Sequence, residues 1–392
     1  MVQNYQKIGN YISVLDNRNA DGGVTNLMGI SIDKCYIPSV ANVIGTDLHN
    51  YKVIRRGQFA CSLMQVSRDQ RIPLAMYAVD EPAIMSPAYV MFEVNRPDEL
   101  LPEYLELWFK RAEFDREASF YAVGGVRGSL DWEDFCKMKL PIPPILEQKT
   151  IVRDYQVITD RIKILRRINS NLETQACTII ASKVGMPILL NKSNEEISKL
   201  SEQNEICAIE EYCLNMSTGA TPSRTEKDFW TKGTIPWLKS GEVHNCCIFE
   251  VGEHITEKAL NSTSVKMQKG GTVVMAMYGA TAAQVGFLCI DATTNQAICA
   301  LVCSSFEKSA YLYFSLILSQ REIFKQANGG AQDNLSKEMI EKFKIIKLPE
   351  DVIQTMRLPT LLNSIKYNTC ELSKLKRLSE LIVGKMQRGY KR

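Results

Sequence analysis

The residues of this chain that could do chemistry are few and poorly spaced for it. His244, Cys246, Cys247 and His254 form the densest group of soft metal ligands, with Cys299 and Cys303 further along. None shows the paired CxxC spacing that lets two thiolates close on one tetrahedral zinc, so isolated thiols and surface histidines are the simpler reading. His49 completes the set of 3 histidines, and none lies near a turn that would aim a nucleophile. Pro97-Asp98, followed far downstream by Glu147-Gln148-Lys149, spells the carboxylate and lysine pattern of metal-dependent nucleases. Glu147 and Lys149, however, open a helical segment, away from any strand that could carry them beside Asp98. There is neither a GxxxxGK[ST] loop nor a GxGxxG, which removes the usual backbone cradles for nucleotide phosphates. Ile142-Pro143-Pro144-Ile145 lacks the polar first residue and the aromatic with which amino-methyltransferases hold a target base, and a proline turn before a helix accounts for it.

The elements that position these residues belong to a chain of 392 residues, 45% of them hydrophobic, enough for two or three folding units. Lys+Arg 47 against Asp+Glu 44 leaves a net charge of +3, so any polyanion must be met by local patches. No run approaches the roughly 18 apolar residues of a membrane-spanning helix, and the opening MVQNYQKIGN lacks the blocks of a signal peptide. The 12 cysteines are scattered and read as reduced thiols. A soluble, cytoplasmic protein is expected.

The informative feature is internal repetition. Gly124-Gly125 is followed by Leu130, Phe135, Met138, Leu140 and Pro144. Gly329-Gly330 is followed by Leu335, Ile340, Phe343, Ile345 and Pro349, each displaced by 205 residues without a gap. Further upstream, Gly57 heads QFACSLMQV and Gly271 heads TVVMAMYGA, and each is followed by a second strand-like run, AYVMFEV and AICALVC. A repeat of this length means two similar structural units.

Each proline opens a helix. Ile151, Tyr155, Ile158, Ile162, Leu165, Asn169, Leu172, Ala176 and Ile179 recur at spacings of four and three, as do Leu358, Leu361, Ile365, Asn368, Leu372, Leu375, Ser379, Ile382 and Met386. That rhythm is a coiled-coil seam. Pro359 predicts that the second regular helix starts there rather than at Val352. Each seam carries one asparagine, Asn169 and Asn368, which stabilises poorly without a polar partner and so fixes register. The helices either pack on their own globular domains or pair with each other. If they pair, they run antiparallel, and about 30 residues make a rod on the order of 45 Å, close to one turn of DNA.

These motifs resemble the specificity (S) subunit of Type I restriction-modification systems. The likeness is carried by Gly219-Ala220-Thr221-Pro222-Ser223-Arg224, Phe229-Trp230, Gly233, Ile235-Pro236-Trp237-Leu238-Lys239 and Gly241-Glu242, and by the turns Leu140-Pro141-Ile142-Pro143-Pro144 and Leu348-Pro349 into the helices. The first half departs from the opening motif, with Leu15-Asp16-Asn17-Arg18-Asn19 before Gly22-Gly23, and the second junction has Glu350-Asp351 in place of Ile145-Leu146. The resemblance implies an α+β fold: two similar mixed α/β target-recognition domains (1–145 and 207–349), joined and separated by two long antiparallel coiled-coil helices (146–184 and 350–392), with a linker at 185–206. It implies a non-catalytic reader of double-stranded DNA, each domain taking one half of a bipartite target. The partners would be two methyltransferase subunits, which bring S-adenosylmethionine, and restriction/translocase subunits, which bring ATP and Mg; this chain would hold no cofactor, no metal and no membrane contact. A Type IIB-like recognition subunit and a two-headed coiled-coil scaffold that binds no DNA are the alternatives.

Base edges are read by Arg on guanine, Asn or Gln on adenine, and small or hydroxyl side chains on either. In the first domain the candidates are Ser62, Gln65, Ser67, Arg68, Gln70 and Arg71, with Arg127 in the glycine loop. In the second they are Tyr278, Thr281, Gln284, Asn295, Gln296, Gln332 and Asn334. Ser223, Arg224, Lys239 and Ser240 are expected to hold the DNA backbone, whereas Trp230 and Trp237 are expected in the domain core. From Glu371 to Arg392 there are seven Lys or Arg against two acids, a solvated face or a phosphate contact.

Overall fold

The computed structural model describes residues 5–39, 45–64, 66–122, 128–190, 192–327 and 334–386. They form two units: one of the residues up to Ile162 together with those from Leu375, the other of Lys163–Lys374. Among the described residues no helix is long and apolar enough to cross a membrane.

The first unit is built on an antiparallel sheet of four short strands in the order Ile12–Leu15, Val90–Val94, Phe59–Cys61, Leu74–Met76. The strand-like runs of the sequence are therefore longer than the strands themselves. Phe59 lies opposite Phe92, both fully buried, with their rings stacked at 5.1 Å and Phe109 edge-on to both. These aromatics dock the helices Pro102–Phe109, Ala112–Tyr121 and Trp132–Lys137 on one face of the sheet, because each such ring removes a large apolar area from water. A strand at Tyr5–Lys7 pairs with Lys139–Pro141 and hands the chain to the first long helix, Ile145–Val184. Gln148, with no exposed surface, pins that helix: its Oε1 accepts from Leu101 N at 2.9 Å and its Nε2 donates to Glu99 O at 2.7 Å and Pro143 O at 2.8 Å.

The second unit repeats this order. Asn215–Thr218, Ile298–Val302, Val273–Ala276 and Val285–Leu288 lie side by side antiparallel, and a fifth strand, Cys246–Ile248, joins parallel at the edge. The helix Phe306–Ala327 covers this sheet, with Tyr311, Tyr313 and Phe314 buried in the same core as Val273, Met275 and Phe287. A smaller sheet of Glu253–Ile255, Ile235–Leu238, Ala292–Thr294 and Met267–Gln268 stands beside it. The duplication extends to individual hydrogen bonds. Gly57 and Gly271 sit at φ +84 and +98, a conformation only glycine adopts without strain, and their N–H groups donate to Tyr77 O and Leu288 O, both at 2.8 Å.

The two long helices pack as an antiparallel coiled coil. In the second unit, Ala176 and Ile180 of the first helix share a core with Leu361, Leu362 and Ile365 of the second. In the first unit, Ile151, Ile158 and Ile162 of one helix and Ile382, Val383 and Met386 of the other are buried, as is Leu165 just beyond the boundary. Leu172, Leu372 and Leu375 are half-buried. The two seam asparagines meet: Asn368 Nδ2 donates to Asn169 Oδ1 at 2.8 Å, and Asn169 Nδ2 donates to Thr369 Oγ1 at 3.2 Å. The second long helix runs Leu358–Lys385, with Pro359 in its first turn. Val352 falls in a separate short helix, Glu350–Thr355, and Arg357 at φ +57 makes the break between them.

The polar stretch after the first long helix is more ordered than its composition suggests. Ile188–Leu189 and Glu205–Ala208 both pair with Lys344–Lys347, and between them a helix, Asn194–Ser201, is opened by a capping box of Ser193 and Glu196. One apolar dipeptide and one cap were enough, and both are too short to show as periodicity.

Replacing Asn368 with leucine leaves the Asn169 amide facing an apolar side chain, at an expected cost of about 1–3 kcal/mol. The double change Asn169→Leu, Asn368→Leu should recover most of that loss. A denaturant double-mutant cycle measures the coupling, and additive single effects would show that the amides do not act as a pair.

Candidate nucleic-acid interface

In the second unit the loop Gly219 to Arg224 is held from three sides. Gly219 lies so close to the Ala292–Thr294 strand that a Cβ would fall 2.0 Å from Thr294 O. Trp237 is buried and donates through Nε1 to Ala220 O at 3.0 Å, and Trp230 donates to Ser223 O at 3.1 Å. The two indoles meet edge to face at 5.0 Å. Both tryptophans are thus structural, Trp237 within the core and Trp230 half-buried beside it.

On this platform sits Arg224. Its guanidinium lies 3.7 Å from the Trp230 ring centre and 4.9 Å from that of Trp237. Glu253 binds it through Oε2 at 2.5 Å and Lys239 through Oε1 at 2.8 Å. Hydrogen bonds from Arg224 and then Lys239 hold the Glu253 carboxyl below the usual carboxylate range, and the same carboxylate raises Lys239. Two cations are therefore oriented by one anion, with half of the Arg224 side chain still open to solvent. Glu253 carries no signal in the sequence, since its partners are 29 and 14 positions away. Ser240 begins a short turn in which Val243 N donates back to Ser240 O.

Further reader candidates of this unit gather at one end of its main sheet. Gln296 and Thr221 are joined side chain to side chain at 2.5 Å. Asn295 N donates to Leu238 O, which places it beside Lys239. Tyr278, exposed by 42%, forms a β-bridge with Asn334, and Thr281 closes the turn after it. Gln284 N donates to Thr281 O at the foot of the same turn. That turn is fastened from below by Gln320 Nε2, which donates to Ala283 O at 3.1 Å and pairs with Asn245, whose Oδ1 accepts from Val285 N at 2.9 Å. Asn245 and Gln320 are supports that sequence reasoning missed, because amides 75 residues apart have no periodicity to betray them.

In the first unit Ser62 N donates to Pro73 O, Gln70 Nε2 donates to Ser67 O, and Arg68 lies in a bidentate pair with neighbouring Asp69 at 2.7 and 3.2 Å. Arg71 is paired with Asp33 at 3.0 Å. Gln70 and Arg71 line a cleft of about 340 Å³ with Lys34, Lys110, Asp115 and Arg116. Its floor is an ion pair, Lys34 Nζ to Asp115 at 2.7 Å, both side chains nearly buried, and burial pulls the Lys34 pKa down despite that partner. Asp115 also accepts from Ile72 N at 3.2 Å, so the Arg71 backbone is tied to the helix behind it. Gln65, Arg127 and Gln332 lie outside the described residues.

The nuclease-like pattern is closer in space than its sequence spacing implied. Gln148 reaches Glu99 and Leu101 directly, which brings the two halves of the pattern side by side. Still, no group of three or more His, Cys, Asp or Glu that could hold a metal ion occurs among the described residues. The 12 cysteines are free thiols, and burial raises Cys61 and Cys299, the latter to about 12, so neither is a ready thiolate.

The model of the Type I restriction modification DNA specificity domain family matches residues 75–174 and 197–380, well over half of the chain, and the chain belongs to that family. It is 24% identical over 157 residues to the Escherichia coli Type I restriction enzyme EcoR124I/EcoR124II specificity subunit, an alignment covering 38% of this chain and 39% of that one. The chain thus spans well under half of that relative in the alignment. Its fold is similar to the crystal structure of a Type-I restriction-modification system S subunit from M. genitalium, with a TM-score of 0.58 and 12% identity over 98% of this chain and 96% of the other.

Two outcomes test the platform. Gly219→Ala should destabilise the second unit by about 1–3 kcal/mol, since the added methyl overlaps backbone that cannot move aside. Glu253 has a lowered folded pKa, so its contribution is complete above the ordinary glutamate value of about 4.3 and is withdrawn as pH falls through the folded one. Thermal melts of wild type and Glu253→Gln should therefore differ at neutral pH and converge on acidification.

Proposed function

We propose that this member of the family is the DNA-reading specificity subunit of a Type I restriction-modification complex, each unit taking one half of a split target. The observation that carries this reading is the duplication: two sheets that share the order of four strands, each presenting polar loop residues at corresponding turns. Arg and Lys held by stacking and by one shared carboxylate suit phosphate oxygens, and they fix register without reading sequence. Exposed Asn, Gln, Ser and Tyr beside them suit base edges. The proposed recognition domains are 1–145 and 207–349, with the helical spacers 146–184 and 350–392 setting the gap and docking two methyltransferase subunits, and 185–206 as the connection. Methyl transfer from S-adenosylmethionine, and ATP- and Mg-dependent translocation and cleavage, fall to the partner subunits, while this chain does no chemistry of its own.

With cognate methyltransferase subunits, the complex should methylate adenine only at a bipartite site, and exchanging residues 1–145 for those of a relative should change one half-site and leave the other. Methylome sequencing reads this directly. Methylation by this chain alone would overturn the proposal. Arg224→Ala should weaken binding to all duplexes alike and lower the slope of log affinity against log salt by about one, without altering the motif.

A further inference from the structure

The correspondence between the two units reaches a pair of side chains that differ completely in chemistry. Counting from Gly57 and Gly271, Leu63 corresponds to Met277 and Met64 to Tyr278, each 214 residues on. The backbone supports the alignment. Leu130 N donates to Leu63 O at 2.9 Å, and Leu335 N, 205 residues on in the later repeat, donates to Met277 O at 2.8 Å. At the start of the same strand, Tyr77 N donates to Gln58 O and Leu288 N to Thr272 O, at 2.8 and 2.9 Å. The same bonds thus fix the residue just before Met64 and just before Tyr278.

Both following residues point outward. Met64 is 57% exposed and Tyr278 42%; Tyr278 directly succeeds the buried Met277, and Met64 follows the half-buried Ser62 and Leu63 at the end of the buried strand Phe59–Cys61. A lone exposed methionine needs no explanation on its own. Its placement does, since it occupies the position where the other unit presents a tyrosine beside Asn334. In the first unit the loop closes against Gly128, at φ +73, where a Cβ would meet Ser67 Oγ at 2.1 Å.

We infer that Met64 and Tyr278 are the same position in two copies of one reading loop, each setting base preference in the half-site of its own unit. This rests on the DNA-reading proposal above and deepens it. Methionine has no hydrogen to donate, only a weak acceptor in its polarizable thioether, and a flexible apolar stem, so the major-groove feature it suits best is the 5-methyl group of thymine. Tyrosine can stack on a base and also donate a hydrogen bond, so the second loop reads a different feature at the corresponding place.

The test uses the full complex with its methyltransferase subunits. The wild-type complex first gives the bipartite motif, and its failure to methylate any split site would overturn the DNA-reading proposal itself. Duplexes are then prepared with each thymine of the motif replaced in turn by deoxyuridine, which removes only the methyl. Wild type should lose roughly tenfold in affinity at one thymine of the first unit's half-site, the scale of a single mismatched pair. Met64→Ala should be weaker on the intact duplex and indifferent to that same replacement. Tyr278→Ala should relax the other half-site alone. Unchanged thermal melts confirm that the exposed side chains were removed without loss of fold. Equal deoxyuridine sensitivity of wild type and Met64→Ala at every thymine, or a change in both half-sites from either substitution, would overturn the inference.

Discussion

The polar layer inside the coiled-coil seam is the constraint on which the rest depends. Asn169, Asn368 and Thr369 satisfy one another there, in a seam whose buried members on either side, Leu165, Ala176, Leu361 and Ile365, are apolar. A leucine pair at this layer would pack better but would accept neighbouring registers almost equally, because a heptad seam looks alike every seven residues. Sliding one helix by a heptad leaves an asparagine amide against aliphatic side chains, with its hydrogen bonds unmade. The layer therefore trades stability for a single register. If the helices are the spacer between two DNA half-sites, that register is what makes the gap a fixed length.

The second constraint lies where the first long helix begins, and it is of a different kind. The fully buried Gln148 side chain spends its amide on three backbone groups, at Glu99, Leu101 and Pro143. Removing that side chain would take away the partner of three partly buried backbone groups at once, so this junction cannot pivot cheaply. At the corresponding place in the repeat the residue is Ile353, buried without polar partners to match, and the chain breaks at Arg357 before the second helix starts. The two copies thus share strand order but not the way in which they hold their helix.

Much of this was legible in the sequence, for physical reasons. Repetition at a constant displacement survives because the core positions Leu130, Phe135 and Leu140 must be matched by Leu335, Ile340 and Ile345 if the two units fold alike. Seam periodicity survives because a helix has one buried face. What was not legible were contacts between side chains far apart in sequence: Glu253 joining Arg224 to Lys239, Gln320 with Asn245, and Gln148 with the 99–101 segment. Each is a polar pairing that leaves no repeat and no composition bias. The strand Ile188–Leu189 was hidden for a related reason, since two apolar residues in a polar stretch make no pattern, yet they suffice once Lys344–Lys347 supplies an edge.

On the DNA-reading proposal, the arrangement around Arg224 would aim a cation at a phosphate at little entropic cost. A free arginine loses about 2 kcal/mol of side-chain entropy on being fixed, and that loss comes out of binding affinity unless it has been met during folding. Here the Trp230 face and the Glu253 carboxylate fix the guanidinium before any ligand arrives. The same carboxylate lowers the net charge that an approaching phosphate meets, so the gain is in orientation rather than in raw attraction. That balance is what a sequence-selective protein requires. Strong nonspecific attraction would hold it on every duplex, whereas weak, well-aimed backbone contacts leave discrimination to the loop side chains that meet the bases.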